Sequence, residues 1–257
     1  MCELFGASSI EKAEYKDLLR EFYSHDVRNP HGWGIAVREG DRLLVKKEPV
    51  RASASEILAG IMERPIRTDL LLAHVRLATK GSIEYENTHP FVQKDVSGQT
   101  WTLIHNGTIF ESSILDQYVN RQVGSTDSER ILCHLIARMN TALRETGTPL
   151  TTAQRFGILQ DLIVQIVPEN KVNILLTDGA VLYAHSNYNG GLHIRRESGR
   201  VAIATKPLDG GHWEELPRNT LLAYRDGEEI IRGAPHDYEF FDSEEKMRYL
   251  YLDFAGI

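Results

Sequence analysis

The second residue of the chain is a cysteine. With the initiator methionine removed, as the small side chain behind it favours, Cys2 would carry a thiol and a free α-amine on one residue. The thiol is an intrinsically strong nucleophile, and a terminal amine, with a reference pKa of about 7.7–8, suits a general base near neutral pH. Nucleophile and base would then be joined covalently, the logic of a threonine activated by its own amine. The plain alternative is a small residue buried in a first strand. Cys133, flanked by Leu132 and His134, reads as a buried packing residue and is expected to be dispensable for chemistry. Two cysteines are too few for a disulfide scaffold or a thiolate zinc site, and a reducing cytoplasm is the expected compartment. The ten histidines include no i, i+4 pair of the helical metal-site type, so neither a metal nor another cofactor is expected.

Four further clusters carry polar groups at places where chemistry is done. His74-Val75-Arg76-Leu77-Ala78-Thr79 closes an apolar strand, and alternation puts His74, Arg76 and Ala78 on one face. A guanidinium there can hold a carboxylate bidentately; its structural alternative is a pairing with a carboxylate of the protein itself. Asn87-Thr88-His89-Pro90-Phe91 reads as an ordered turn entering a strand, with His89 a structural histidine. In His105-Asn106-Gly107 the Asn amide and the Gly N–H, placed where a strand ends, make a pair of oxyanion donors, although Asn-Gly is also a common turn. Ser125-Thr126-Asp127-Ser128-Glu129 leads into a helix. Asp127 there either complements the helix dipole or receives the α-ammonium of an amino-acid substrate whose α-carboxylate sits on Arg76.

The elements that must position these groups follow from periodicity and turn chemistry. Glu3 to Ser8 reads as a short buried strand and Glu11 to Tyr23 as a helix with Tyr15, Leu18, Leu19 and Phe22 on one face. Gly32–Arg38 and Arg42–Lys47 form a hairpin around Glu39-Gly40-Asp41, and Ser53 to Met62 is a helix capped by Ser53 or Ser55. Leu70–Ala78 and Trp101–His105 are central strands, and the polar stretch Thr79 to Asn87 between them is a candidate lid. Asp127–Leu143 and Thr151–Val167 are amphipathic helices. Beyond Pro168, Asp178-Gly179 and Asp226-Gly227 each mark a hairpin. Strands, then helices, then antiparallel strands argue for sheets covered by helices and against an alternating βαβ fold. Gly32-Trp33-Gly34 is not followed by a helix, which excludes a dinucleotide loop.

Composition narrows the partners. Of 257 residues, 42% are hydrophobic and 25% charged, with 29 basic against 36 acidic side chains for a net charge of −7. No basic run exceeds two residues, so nucleic acid is not an expected partner. The longest apolar run, Ala180 to Ala184, falls far short of the roughly 20 residues of a membrane span, and no secretory leader is evident.

Each motif is weak singly, but the set in this order resembles the class II glutamine amidotransferases, members of the N-terminal-nucleophile hydrolase superfamily. Gly32-Trp33-Gly34-Ile35-Ala36 and Ala204-Thr205-Lys206-Pro207-Leu208 look like its stand-alone branch, while Leu77 stands where synthetase-linked members carry Trp. The resemblance, from Cys2 to about Arg232, implies an α+β fold: a four-layer αββα sandwich of two antiparallel sheets flanked by helices. Residues 1–257 would form a single amidotransferase domain, with 234–257 a packing tail. By motif position Cys2 would be the nucleophile, Asn106 and Gly107 the oxyanion hole, and Arg76, Thr79 and Asp127 the binders of the glutamyl head group. Glutamine is one implied substrate, its ammonia passing to a separate acceptor protein. A larger γ-glutamyl amide is the other, and a non-catalytic binding protein on the same fold is the third alternative.

Overall fold

A computed structural model describes residues 2–244 and 246. The chain runs β1 (Glu3–Glu14), α1 (Lys16–Ser24), β2 (Trp33–Glu39), β3 (Arg42–Glu48), α2 (Glu56–Met62), β4 (Arg67–Val75), β5 (Phe91–Lys94) and β6 (Thr100–Thr108). It continues through α3 (Ser113–Asp116), α4 (Asp127–Thr146), α5 (Thr152–Ile166), β7 (Lys171–Thr177) and β8 (Leu182–His185). The last strands are β9 (His193–Glu197), β10 (Arg200–Ala204), β11 (Glu214–Glu215), β12 (Leu222–Arg225) and β13 (Glu228–Arg232). They build a seven-stranded sheet, β11-β9-β10-β1-β4-β2-β3, and a six-stranded sheet, β13-β12-β8-β7-β6-β5.

Three apolar clusters separate four layers. Between the sheets lie Leu4, Leu72, Ile104, Leu175 and Leu182. Phe5, Tyr15, Leu19, Phe22 and Leu58 pack α1 and α2 onto the first sheet. Ile131, Leu135, Met139, Leu159 and Ile163 pack α4 and α5 onto the second. Both sheets are thus covered on both faces, and the αββα sandwich implied by the resemblance is the observed fold. Strand β1 shows why its alternation is hidden: Leu4 faces the other sheet and Phe5 faces the helices, so the strand reads as a continuous buried run.

Local chemistry sets the ends of the elements. Ser55, not Ser53, caps α2 by accepting from the Leu58 N–H. Thr151 and Gln154 form a reciprocal capping box at the start of α5. Gly147, at φ 66°, ends α4 in the left-handed conformation. One boundary differs from expectation: Glu11–Glu14 belong to β1, which pairs with β4 through a register shift between Ser8 and Ala13, and the helix starts at Lys16. Of the expected tail, Phe240 is buried and bridges to Tyr188, while residues 245 and 247–257 lie outside the described residues.

The Gly32-Trp33-Gly34 motif has a packing role. A Cβ on Gly34 would stand 2.0 Å from the His89 carbonyl oxygen, so β2 and the Asn87–Pro90 turn meet backbone to backbone. Gly34→Ala is expected to cost about 2–3 kcal/mol through overpacking, a fall in Tm of about 5–10 °C for a chain of this size. A thermal melt with unchanged Tm would show that the turn yields instead.

Candidate active site

Cys2 precedes β1 at a place gripped from both sides. On one side its Sγ sits between the N–H and the C=O of Leu77, 3.3 Å from each. Leu77 is held there because the strand exit is itself pinned: Arg76 N–H donates to Gly32 O at 2.8 Å, His31 N–H to Arg76 O at 3.0 Å, and Ala78 N–H to His31 Nδ1 at 3.0 Å. On the other side Leu4 exchanges hydrogen bonds with Thr205, donating to its Oγ1 and accepting from its N–H, both at 2.9 Å. The buried Glu3 carboxylate is held by Lys206 Nζ and by His25 Nδ1, the latter at 2.6 Å. The Ala204–Leu208 motif is thereby accounted for as an anchor on the residues that follow Cys2. Burial pushes the Cys2 thiol up, opposed by the Leu77 N–H and the Arg76 charge, so this environment by itself favours thiol over thiolate.

A pocket of about 390 Å³ opens beside the sulfur. Cys2, Leu77, Thr79, Asn106 and Gly107 line it, and so do Thr108, Phe110, Lys171, Phe240 and Asp242. Sequence separations of more than 200 residues are closed by the two sheets.

Asn106 and Gly107 lie inside β6, opposite Asn173 and Val172 of β7, and not in a turn after the strand as expected. The pairing between β6 and β7 runs on to Thr108 and overrides the turn preference of Asn-Gly. The glycine is required by close approach, because a Cβ at 107 would stand 1.9 Å from the Lys171 carbonyl oxygen. Asn106 Oδ1 is buried and makes no hydrogen bond among the described residues. An unpaired buried polar atom costs roughly 1–3 kcal/mol, so its retention asks for a reason other than stability.

Arg76 and Asp127 stand behind the pocket wall, neither among its lining residues. The Arg76 guanidinium, only 2% exposed, donates to the carbonyls of Ser82 (2.9 Å), Lys80 (3.1 Å) and Gly81 (3.1 Å). It therefore orders the 79–87 stretch, and Asn87 completes the job by bridging Ser82 to Ser125 at the approach to α4. The expected lid is a tied-down loop. Asp127 is the first residue of α4, whose cap is Thr126; its carboxylate accepts from the Ile109 N–H at 2.7 Å and from the Ser128 N–H at 2.8 Å. Burial pulls Arg76 down, and the nearby Cys2 and Asp127 oppose this, which places all three groups within electrostatic reach.

The histidines around the site are packing groups. His74 and His89 lie ring to ring at 4.1 Å, and burial pulls both down, His74 to about 3, so they are neutral at working pH. His105 bridges the Ser128 hydroxyl at 2.9 Å and the Lys171 carbonyl at 3.2 Å. Cys133 is buried on α4, accepts a 3.1 Å hydrogen bond from Gln93 and does not reach the pocket. Among the described residues no cluster of three or more His, Cys, Asp or Glu is placed to hold a metal, and no helix is long and apolar enough to cross a membrane.

Sequence reasoning missed Lys171, Phe240 and Asp242. A signal for the first was present: Lys171-Val-Asn-Ile-Leu-Leu-Thr is a strand buried at every position, where a lysine is out of place. Phe240 and Asp242 carry no such local mark.

Comparison with known proteins agrees with this architecture. The family description "Glutamine amidotransferases class-II" matches residues 1–198. The chain is 29% identical to YafJ of Escherichia coli, over 90% of this chain and all of that protein. It is 27% identical to the MJ1515 protein of Methanocaldococcus jannaschii, over 97% of this chain and 81% of the relative. Among solved structures, a Pseudomonas aeruginosa protein described as a predicted glutamine amidotransferase superposes with a TM-score of 0.62 at 21% identity, covering 90% of this chain and all of that one. Glutamine phosphoribosylpyrophosphate amidotransferase of Bacillus subtilis superposes with a TM-score of 0.64 at 19% identity, over 89% of this chain and 48% of that longer one. The chain belongs to the class II glutamine amidotransferases.

Proposed function

We propose that the chain hydrolyses the γ-amide of glutamine through a γ-glutamyl thioester on Cys2, once Met1 has been removed, and releases ammonia for a separate acceptor protein. The observation that carries this is the convergence of Cys2, Thr79, Asn106 and Gly107, from three distant parts of the chain, on one pocket. The α-amine freed at Cys2 takes the thiol proton, which burial otherwise holds in place. The sulfur adds to the γ-carbonyl carbon, and the oxyanion that forms is stabilised by the Asn106 amide and the Gly107 N–H. The C–N bond then breaks, the leaving amine taking the proton. Water attacks the thioester, the C–S bond breaks, and glutamate leaves with the thiol restored. Arg76 and Asp127 hold the α-carboxylate and α-ammonium, with Thr79 beside them. Residues 1–257 act as one cytoplasmic catalytic domain.

A second substrate class, a γ-glutamyl amide larger than glutamine, is favoured by one observation: Phe110, Lys171, Phe240 and Asp242 extend the pocket beyond the residues that acyl transfer needs. Intact mass of the purified chain, with glutamate release measured from glutamine and from several γ-glutamyl amides, tests both. A chain lacking Met1 that releases glutamate from none of them would overturn the proposal. Arg76→Lys is expected to lower kcat/KM for glutamine by about tenfold to a hundredfold, because an ammonium cannot replace a planar fork that ties three carbonyls and faces a carboxylate. Steady-state kinetics check it, and wild-type kcat/KM would remove Arg76 from the site.

A further inference from the structure

Lys171 and Asp242 share the pocket with Cys2, and none of the acyl-transfer roles uses them. Lys171 opens β7 and pairs in register with Thr108, the residue after Gly107. It is only 3% exposed, and its ammonium lies over the Tyr188 ring at 3.2 Å from the centroid. Burial pulls it down to about 8, opposed by the Asp242 carboxylate. Asp242 in turn accepts from the Tyr188 hydroxyl at 2.5 Å. The segment that carries Asp242 is tied in place, with Phe240 N–H on Asn187 O at 2.7 Å and its ring stacked on Phe110 at 5.9 Å.

A cation held this far from water is a costly wall group, and an apolar side chain of the same length would fill the strand at lower cost. It gives no help to ammonia, which departs towards its own cationic form and would be repelled. The α-carboxylate of the glutamyl group already has Arg76. What a buried ammonium in the remaining part of the pocket does favour is a second anionic group, carried by the part of the substrate that leaves. We propose that Lys171 receives a carboxylate borne by the leaving amine, so that the preferred substrate is a γ-glutamyl amide of an amino acid, with Asp242 tempering that attraction. The inference rests on the hydrolase chemistry proposed above and changes only the leaving group: the same C–N bond breaks, and the amine departs with its proton and its carboxylate.

The test compares γ-glutamylglycine with γ-glutamylethylamide, which share the acyl group and nearly the same length and differ in the terminal carboxylate. Glutamine serves as the reference substrate, and the readout is glutamate release by the full chain. The wild type is expected to favour the glycine amide in kcat/KM by about tenfold or more, the usual worth of a charge-assisted hydrogen bond. Lys171→Met should bring that ratio close to one. Asp242→Asn, on an exposed residue whose replacement leaves the fold in place, should raise the ratio severalfold. A merely structural role for either residue would move both amides together and leave the ratio alone. Glutamine turnover with a wild-type ratio near one, or a ratio that neither variant shifts, overturns the inference and leaves the hydrolase proposal standing. Turnover of no substrate at all overturns both.

Discussion

Cys2→Ala is expected to lower glutamate release from glutamine by at least about 10⁴-fold, since loss of a covalent nucleophile typically removes about 10⁴–10⁶ in kcat. The fold should survive. The thiol makes contacts only with the Leu77 backbone, and the chain beside it is anchored independently by Glu3, Lys206, His25 and Thr205. Alanine at position 2 keeps the backbone that pairs with β4, so Tm should stay within a few degrees of wild type. Cys133→Ala supplies the matched control. That thiol is buried on α4, remote from the pocket, and its loss should leave kcat intact while costing some stability. Trapping with an electrophilic glutamine analogue, followed by mass spectrometry of the N-terminal peptide, reads the same site directly. Modification of Cys133 with Cys2 untouched, or full turnover by Cys2→Ala, would show that another group does the chemistry.

How far the sequence foretold this structure depends on whether the controlling interactions are local. The Thr151-x-x-Gln154 capping box and the Asp226-Gly227 turn, at φ 53° and 80°, are decided within four residues, and both stand as expected. The start of α1 was not legible, because the apolar spacing of Glu11–Tyr23 fits a helix while Glu11–Glu14 are claimed by pairing with β4. Asn106-Gly107 has the same cause. Locally it is a turn, but seven residues of β6 pair with β7, and the glycine serves a close approach to Lys171 that no window of sequence contains. Arg76 was placed correctly on its strand, yet its tie to three loop carbonyls belongs to the 79–87 stretch, whose polarity alone suggested a mobile lid. Phe240 and Asp242 reach the pocket only through the bridge of Phe240 to Tyr188, a long-range contact without a motif.

Asn106→Ala separates catalysis from folding by the sign of its two effects. If the side-chain amide stabilises the oxyanion, its removal should reduce kcat by about 10²–10³, with KM changed much less, because the interaction is made in the transition state and not with the ground-state amide. Stability should respond differently. The Asn106 Oδ1 is buried without a partner, so deleting the side chain removes an unsatisfied atom, and the backbone carbonyl keeps its 2.9 Å hydrogen bond from Asn173. The melting temperature should therefore hold or rise slightly, within about 1 kcal/mol of wild type. Gly107→Ala provides the contrast, for its Cβ would enter the Lys171 carbonyl and push β6 from β7, so activity and stability should fall together. A group retained for structure loses stability when it is cut away, whereas one retained for a developing charge loses only rate. Were Asn106→Ala to unfold at lower temperature while keeping its kcat, the amide would belong to the sheet and the oxyanion would need another donor.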